Sequence, residues 1–190
     1  MILSIVLLVV ALVVYAIIMV GLISIMVQSL YAPPFAPTFN PQVVKVIKQK
    51  LEENPELDLI FEPGCGVANI ALAIKKNFPE KEVWGVEVNW FVYAWAVWIN
   101  WMRLPKNQIK LAKQDYFKFD QQKIQNGRPA LVYSYLLPEF VTKLHEEGKF
   151  KNCLIVSLDF QIQTLQPTEV IQMNGSKIQY KIYIYDLRNK

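Results

Sequence analysis

Leu57-Asp58-Leu59-Ile60-Phe61-Glu62-Pro63-Gly64-Cys65-Gly66-Val67-Ala68-Asn69-Ile70 is the stretch that decides the fold of this chain. A short apolar run bounded by turn residues reads as a buried parallel strand, with Asp58 at its start and Glu62 at its carboxyl end. Gly64 and Gly66 follow at once, and helical spacing begins near Asn69. Strand, glycine turn and helix in that order make a nucleotide-binding α/β unit, because a glycine removes the Cβ where the backbone turns sharply and a ligand approaches closely. About twenty residues further on, Val83-Trp84-Gly85-Val86-Glu87 reads as a second strand ending in an acid, placed to hydrogen-bond a ribose hydroxyl pair.

The details select the nucleotide. A dinucleotide fingerprint wants a third glycine at position 69, where Asn69 stands. It also opens on a neutral residue, since a pyrophosphate must sit near the helix start. Here Glu62 precedes the first glycine by two positions. A carboxylate there repels a pyrophosphate and suits an ammonium group. That favours S-adenosylmethionine, whose methionyl part carries an amine and whose sulfonium is cationic, over a nicotinamide dinucleotide and its oxidoreductase chemistry.

The chain has 190 residues, enough for one domain and an appendage. Its mean hydropathy of +0.21 is high for a soluble protein. Much of the excess lies in Ile2 to Val27, which contains no charged residue. At about 1.5 Å per residue, such a helix crosses a hydrocarbon core of about 30 Å with some tilt. A cleaved signal peptide would need a basic leading region and an apolar run of only about 7–15 residues. One transmembrane helix is therefore expected. No Lys or Arg precedes it, whereas Lys45, Lys48 and Lys50 follow, so the domain is expected in the cytoplasm with the N-terminus outside.

The expected organisation is an anchor over 1–30, a Pro-rich tether over 31–40 and a Rossmann-like methyltransferase domain over 41–190. Cys65 and Cys153 have no metal-ligand spacing and make no disulfide framework, so no metal is expected. The net charge of +4 is mild, and no Lys/Arg block interleaves with aromatics. Proximity to anionic lipid accounts for it better than nucleic-acid binding.

Pro33, Pro34 and Pro37 make the tether extended, either as a plain spacer or as a segment that folds over the cofactor. Asn40-Pro41 starts a helix whose apolar stripe is Val43, Val44, Ile47 and Leu51. Asn89 caps a helix from Trp90 to about Met102 that contains no charge up to Trp101 and is crowded with tryptophan. It is expected to pack in the core, with a face at headgroup depth as the alternative. Ile109 to Lys113 is a third strand, and Asp115 after it is placed to accept from an adenine amino group. Gln121 to Pro129 reads as a polar loop.

Ala130 to Tyr135 is strand four, so Ser134, Tyr135 and Pro138 fall where ligands lie in such folds, outside the carboxyl ends of the strands. His145, late in the following helix, reads as a surface residue complementing the helix dipole. Cys153 to Leu158 is strand five, ending on Asp159. Val170 to Met173 and Lys177 to Tyr185 alternate across Asn174-Gly175-Ser176 as a hairpin. The expected fold is therefore α/β: a mostly parallel class I methyltransferase sheet closed by an antiparallel hairpin.

With these residues in view, the chain resembles the small membrane-anchored seven-strand methyltransferases related to the family with sequence similarity 173. The motifs are Pro34-Phe35-Ala36-Pro37-Thr38, the glycine stretch, Gly85-Val86-Glu87-Val88-Asn89 with its aromatic helix, and Tyr135-Leu136-Leu137-Pro138. Members of that family methylate lysines of membrane proteins, so the resemblance implies a protein-lysine N-methyltransferase acting on a membrane-associated protein. The chain departs from the family at Val67, where an acid usually stands, and at Ala68.

Glu62, Gly64, Gly66, Glu87 and Asp115 are expected to hold S-adenosylmethionine, and Tyr135 and Asp159 to orient the substrate. Two rival readings stand beside it. One is methylation of a lipid or quinone amphiphile. The other is a catalytically silent, membrane-bound interaction module of the same fold. The residues do not set the oligomeric state.

Overall fold

The computed structural model describes residues 2–28, 41–173 and 180–188. The Pro-rich tether, Asn40 and the Asn174-Gly175-Ser176 turn lie outside the described residues. The chain divides into two units, Met1–Pro34 and Phe35–Lys190. The first holds helix α1 (Ile2–Gln28), in which Ser4–Ile23 has a mean hydropathy of 3.2. It is long and apolar enough to cross a membrane, a test that a signal sequence also passes.

The second unit opens with α2 (Pro41–Glu53), which buries Val43, Val44, Ile47 and Leu51, the expected stripe. Strand β1 (Leu59–Pro63) is buried at all five positions and pairs in parallel with β2 (Glu82–Glu87) on one side and β4 (Ala130–Ser134) on the other. A strand covered on both faces needs a continuous apolar run, and β1 has one up to Glu62. Its alternate side chains separate two cores. Ile60 packs with Val43, Ile47 and Leu72, and Leu59 and Phe61 pack with Phe119, Val141 and Phe150.

The remaining elements extend the sheet outward. Helix α3 (Asn69–Asn77) leads to β2, and α4 (Trp90–Trp101) leads to β3 (Lys110–Lys113) at the edge. After α5 (Gln121–Gln125) the chain returns through β4, α6 (Pro138–Glu146) and β5 (Cys153–Leu158). Strands β6 (Glu169–Gln172) and β7 (Lys181–Asp186) form the expected antiparallel pair, with β7 against β5. The order is β3-β2-β1-β4-β5-β7-β6. It reverses between β1 and β4, and a cleft opens at such a reversal beyond the carboxyl ends of the strands.

Two sequence expectations are corrected. Gln121 to Gln125 is a helical turn within the expected loop, capped by Asp120, whose carboxylate accepts from the amide of Lys123. Its glutamines looked like solvent residues, but Gln121 and Gln125 are buried and their amides reach each other and the Lys151 carbonyl. Helix α4 is not a core helix, for Ala96 is its sole buried residue. Asn89 does cap it, accepting from the amides of Phe91 and Val92. At its far end Asn100 donates to the Ile109 carbonyl and accepts from the Ile109 amide, both at 2.9 Å, which ties the helix to β3.

Gly85 in β2 is a close-approach glycine. A Cβ there would lie 2.8 Å from Cys65 Sγ and 3.0 Å from Leu111 Cδ2. Overpacking of this kind costs about 1–3 kcal/mol. Gly85→Ala is expected to lower the unfolding free energy by about that amount in chemical denaturation. Adding Cys65→Ala, which removes the nearest atom, is expected to recover part of the loss.

Candidate functional site

The carboxyl ends of β1, β2 and β4 converge on the loop Gly64–Ala68. Gly64 and Gly66 have φ of +63° and +56°, where a Cβ is strained, and a Cβ on Gly64 would also press on Leu136. A Cβ on Gly66 would meet nothing within 4 Å, so the loop backbone faces open space there. Ala68, which precedes α3, is also left-handed (φ 60°).

Two carboxylates border this loop. Glu62 is buried at the end of β1 and accepts from the amide of Ala71, in the first turn of α3, at 2.9 Å. Glu87 is buried at the end of β2. One of its oxygens accepts from the Gly66 amide at 2.9 Å and the other from the Asn89 amide at 2.7 Å. Burial pushes the Glu62 carboxyl up to about 8, with the Glu87 charge adding and the Ala71 amide opposing. Burial, reinforced by Glu62 and Glu87, also pushes the Cys65 thiol up, so the thiol stays protonated at neutral pH.

Asp115 follows β3 and accepts from the Phe117 amide. Its neighbour Gln114 donates its amide to the Glu87 carbonyl, which fixes the Asp115 turn beside the end of β2. Glu62, Gly64, Gly66, Glu87 and Asp115 are thus brought to one end of the sheet. Tyr135 and Asp159, which follow β4 and β5, also come together there. Burial raises the Tyr135 hydroxyl pKa, and the Asp159 charge raises it further. Asp159 has φ +63° and donates its amide to the Lys181 carbonyl.

Sequence reading missed Phe160, whose ring lies 5.3 Å from that of Tyr135, and Tyr180, whose hydroxyl acts on Tyr135 electrostatically. An aromatic directly after the strand-five acid was the signal available for Phe160. The hydroxyl of Ser134, fully buried at the end of β4, has no hydrogen-bond partner among the described residues. His145 sits in the last turn of α6, away from this end. Among the described residues, no group of three metal-ligating side chains occurs.

No family model matches the chain. A protein-lysine N-methyltransferase of Saccharolobus islandicus (strain REY15A) is 27% identical over 162 residues, covering 80% of this chain and 92% of that protein. An RNA methyltransferase from Salinibacter ruber, crystallised with S-adenosyl-L-homocysteine, superposes with a TM-score of 0.61 at 18% identity, over 77% of this chain and 92% of that one. The fold is that of the class I S-adenosylmethionine-dependent methyltransferases. Magnesium protoporphyrin IX methyltransferase from Synechocystis PCC 6803, with bound S-adenosylmethionine, superposes at 0.58 with 11% identity, over 75% and 77% of the two chains. The relative and both structures are methyltransferases, in keeping with the enzyme class and the cofactor expected from the glycine stretch.

The Glu62 carboxyl gives the fold a pH signature. Its value rises from 4.5 to about 8 on folding, so between those limits the folded chain holds a proton that the unfolded chain has lost. Stability is then fullest below the unfolded value and falls as pH rises through the folded one, with a slope of up to about 1.4 kcal/mol per pH unit. Glu62→Gln is expected to flatten this slope between about pH 5 and 8, as read from denaturation midpoints.

Proposed function

We propose that the protein is an S-adenosylmethionine-dependent methyltransferase, tethered to a membrane by α1, whose acceptor is a lysine amine of a membrane-associated protein. The observation that carries the activity is the pair of buried carboxylates, Glu62 and Glu87, held by amides on either side of one glycine loop. Glu87 and a backbone opening at Gly66 fit a hydroxyl pair, and Glu62, which holds a proton in the folded chain at neutral pH, gives it up when an ammonium faces it. The lysine acceptor is supported by the 27% identical relative and by the resemblance to the family with sequence similarity 173. The membrane is supported by the hydropathy of Ser4–Ile23. The domain's cytoplasmic side is supported by Lys45, Lys48 and Lys50, which follow that segment.

When bound, the cofactor would supply an electrophilic methyl on a positive sulfur, for which a neutral lysine nitrogen is the matching nucleophile. This chain's part is binding and alignment. Glu87 would accept from the ribose hydroxyls, Glu62 would face the methionyl ammonium, and Asp115 would accept from the adenine amine. Asp159 would attract the incoming lysine in its charged form, with the rings of Tyr135 and Phe160 beside it. Desolvation at the cleft would then favour loss of the lysine proton to solvent before the nitrogen acts.

Calorimetric titration of the full chain with S-adenosylmethionine tests the cofactor assignment. Glu87→Ala is expected to weaken binding by at least about ten-fold, because a charged acceptor of two hydrogen bonds is removed. Absence of binding at millimolar ligand would leave a silent module of the same fold. Incubation of the enzyme and membranes with methyl-labelled cofactor then separates the acceptors. Label on protein lysine is expected, and label confined to lipid would shift the assignment to an amphiphile. Tyr135→Phe is expected to keep kcat within about three-fold, while Tyr135→Ala lowers it about ten-fold or more at unchanged cofactor affinity, since the ring and not the hydroxyl flanks the acceptor.

A further inference from the structure

Helix α4 presents a bare aromatic face. Trp90, Trp98 and Trp101 recur at helical spacing along one stripe, with Trp95 and Met102 beside it. They are 66%, 47%, 74%, 50% and 56% exposed, in that order. Leu104 continues the surface past the helix end. The inner side is accounted for, since Ala96 and Ile99 pack on the core and Asn100 clamps Ile109. The uncovered apolar area is on the order of 500–800 Å², at or beyond the upper end of the largest patches on ordinary monomers.

The charges around it select the occupant. No Asp or Glu occurs between Glu87 and Asp115, and that interval holds Arg103, Lys106, Lys110 and Lys113. Lys110 is paired with Glu82. Arg103 and Lys106 form no ion pair among the described residues, and both are exposed directly beside Trp101 and Leu104. Protein interfaces are also rich in Trp, Met and Arg within a polar rim, but here every charge between residues 88 and 114 is positive. Indole rings with a polar N–H, bordered by cations, match the headgroup layer of an anionic bilayer.

We propose that α4 docks flat on the membrane surface, with its tryptophans at headgroup depth and Arg103 and Lys106 against anionic headgroups. The proposal rests on the tethered reading above only for how the domain reaches the bilayer. It adds the orientation of the active site. Helix α4 begins immediately after Glu87 and its capping Asn89, so Trp90 stands at the rim of the cofactor end of β2. Docking on this face sets the rim of the cleft at the lipid surface. It restricts acceptor lysines to those close to a membrane-embedded segment.

The chain is suited to the test, because its five tryptophans are Trp84 and the four of α4, and α1 has none. Indole emission therefore reads docking and not the anchor. The full chain is placed in nanodiscs of neutral lipid, or of neutral lipid with phosphatidylglycerol, each made with and without brominated acyl chains. Quenching of about half of the emission or more is expected in the anionic discs, with a blue shift. Arg103→Gln with Lys106→Gln, both exposed, is expected to weaken docking by about five-fold per cation removed, returning quenching to the neutral-disc level. Trp101→Ser with Met102→Ser serves as a second variant. A chain that enters the discs and shows no bromine quenching overturns the docking face while leaving the anchor intact. Blue-shifted but unquenched emission also overturns it, since protein, either a second copy or the chain itself, then covers the face. Failure to enter the discs removes the anchor instead. Quenching on added anionic vesicles would in that case support α4 by itself, and its absence would remove both.

Discussion

The amide of Gly66 donates to the carboxylate of Glu87, and this contact joins the loop after β1 to the end of β2. Much of the candidate site depends on it. Glu87 holds the loop through one oxygen and the start of α4, through the Asn89 amide, with the other. Glu62 does the equivalent at α3 through Ala71. Each buried acid is held by backbone amides at a helix start, where the helix dipole favours negative charge. Burial disfavours a charge at Glu62 and pushes its carboxyl up to about 8; the Ala71 amide opposes this and the Glu87 charge adds to it. A cleft holding two such acids is poised for a cationic, hydroxyl-bearing ligand.

The same contact explains the shape of β2. Because Gly66 must reach Glu87, Cys65 is pressed onto the strand, and only a glycine at 85 leaves room for its sulfur. Burial keeps the thiol protonated, and the nearby acids Glu62 and Glu87 act in the same direction. On the far side of the cleft, Tyr135, Asp159, Phe160 and Tyr180 gather from three separate chain segments, with Asp159 turned into place by a left-handed backbone. The connection from β5 to β6 carries no helix among the described residues, so the rim here is made of side chains and short loops.

A good part of this was legible in the sequence. The apolar run before Gly64 gave β1, the stripe of Val43, Val44, Ile47 and Leu51 gave α2, and Asn89 was legible as a cap because a side-chain acceptor at a helix start is a local device. Where the reading failed, local composition misled. Glutamines at 121 and 125 looked like loop residues because nothing nearby shows that their amides find partners across the fold. The tryptophans of α4 looked like core because burial is the usual destination of an apolar helix. An edge strand, β3, lies beneath that helix, and the described domain places nothing over its outer face.

By itself, the sequence determined the strands, the longer helices, their order and the strand ends, since these follow from side-chain period and backbone preference over a few residues. It therefore placed Glu62, Glu87, Asp115, Tyr135 and Asp159 at strand ends. Only the tertiary structure decided which of them meet, which glycine is a matter of space and not of φ, and which way the indoles face. Those outcomes depend on strand order and register between segments twenty or more residues apart, and no local period encodes them.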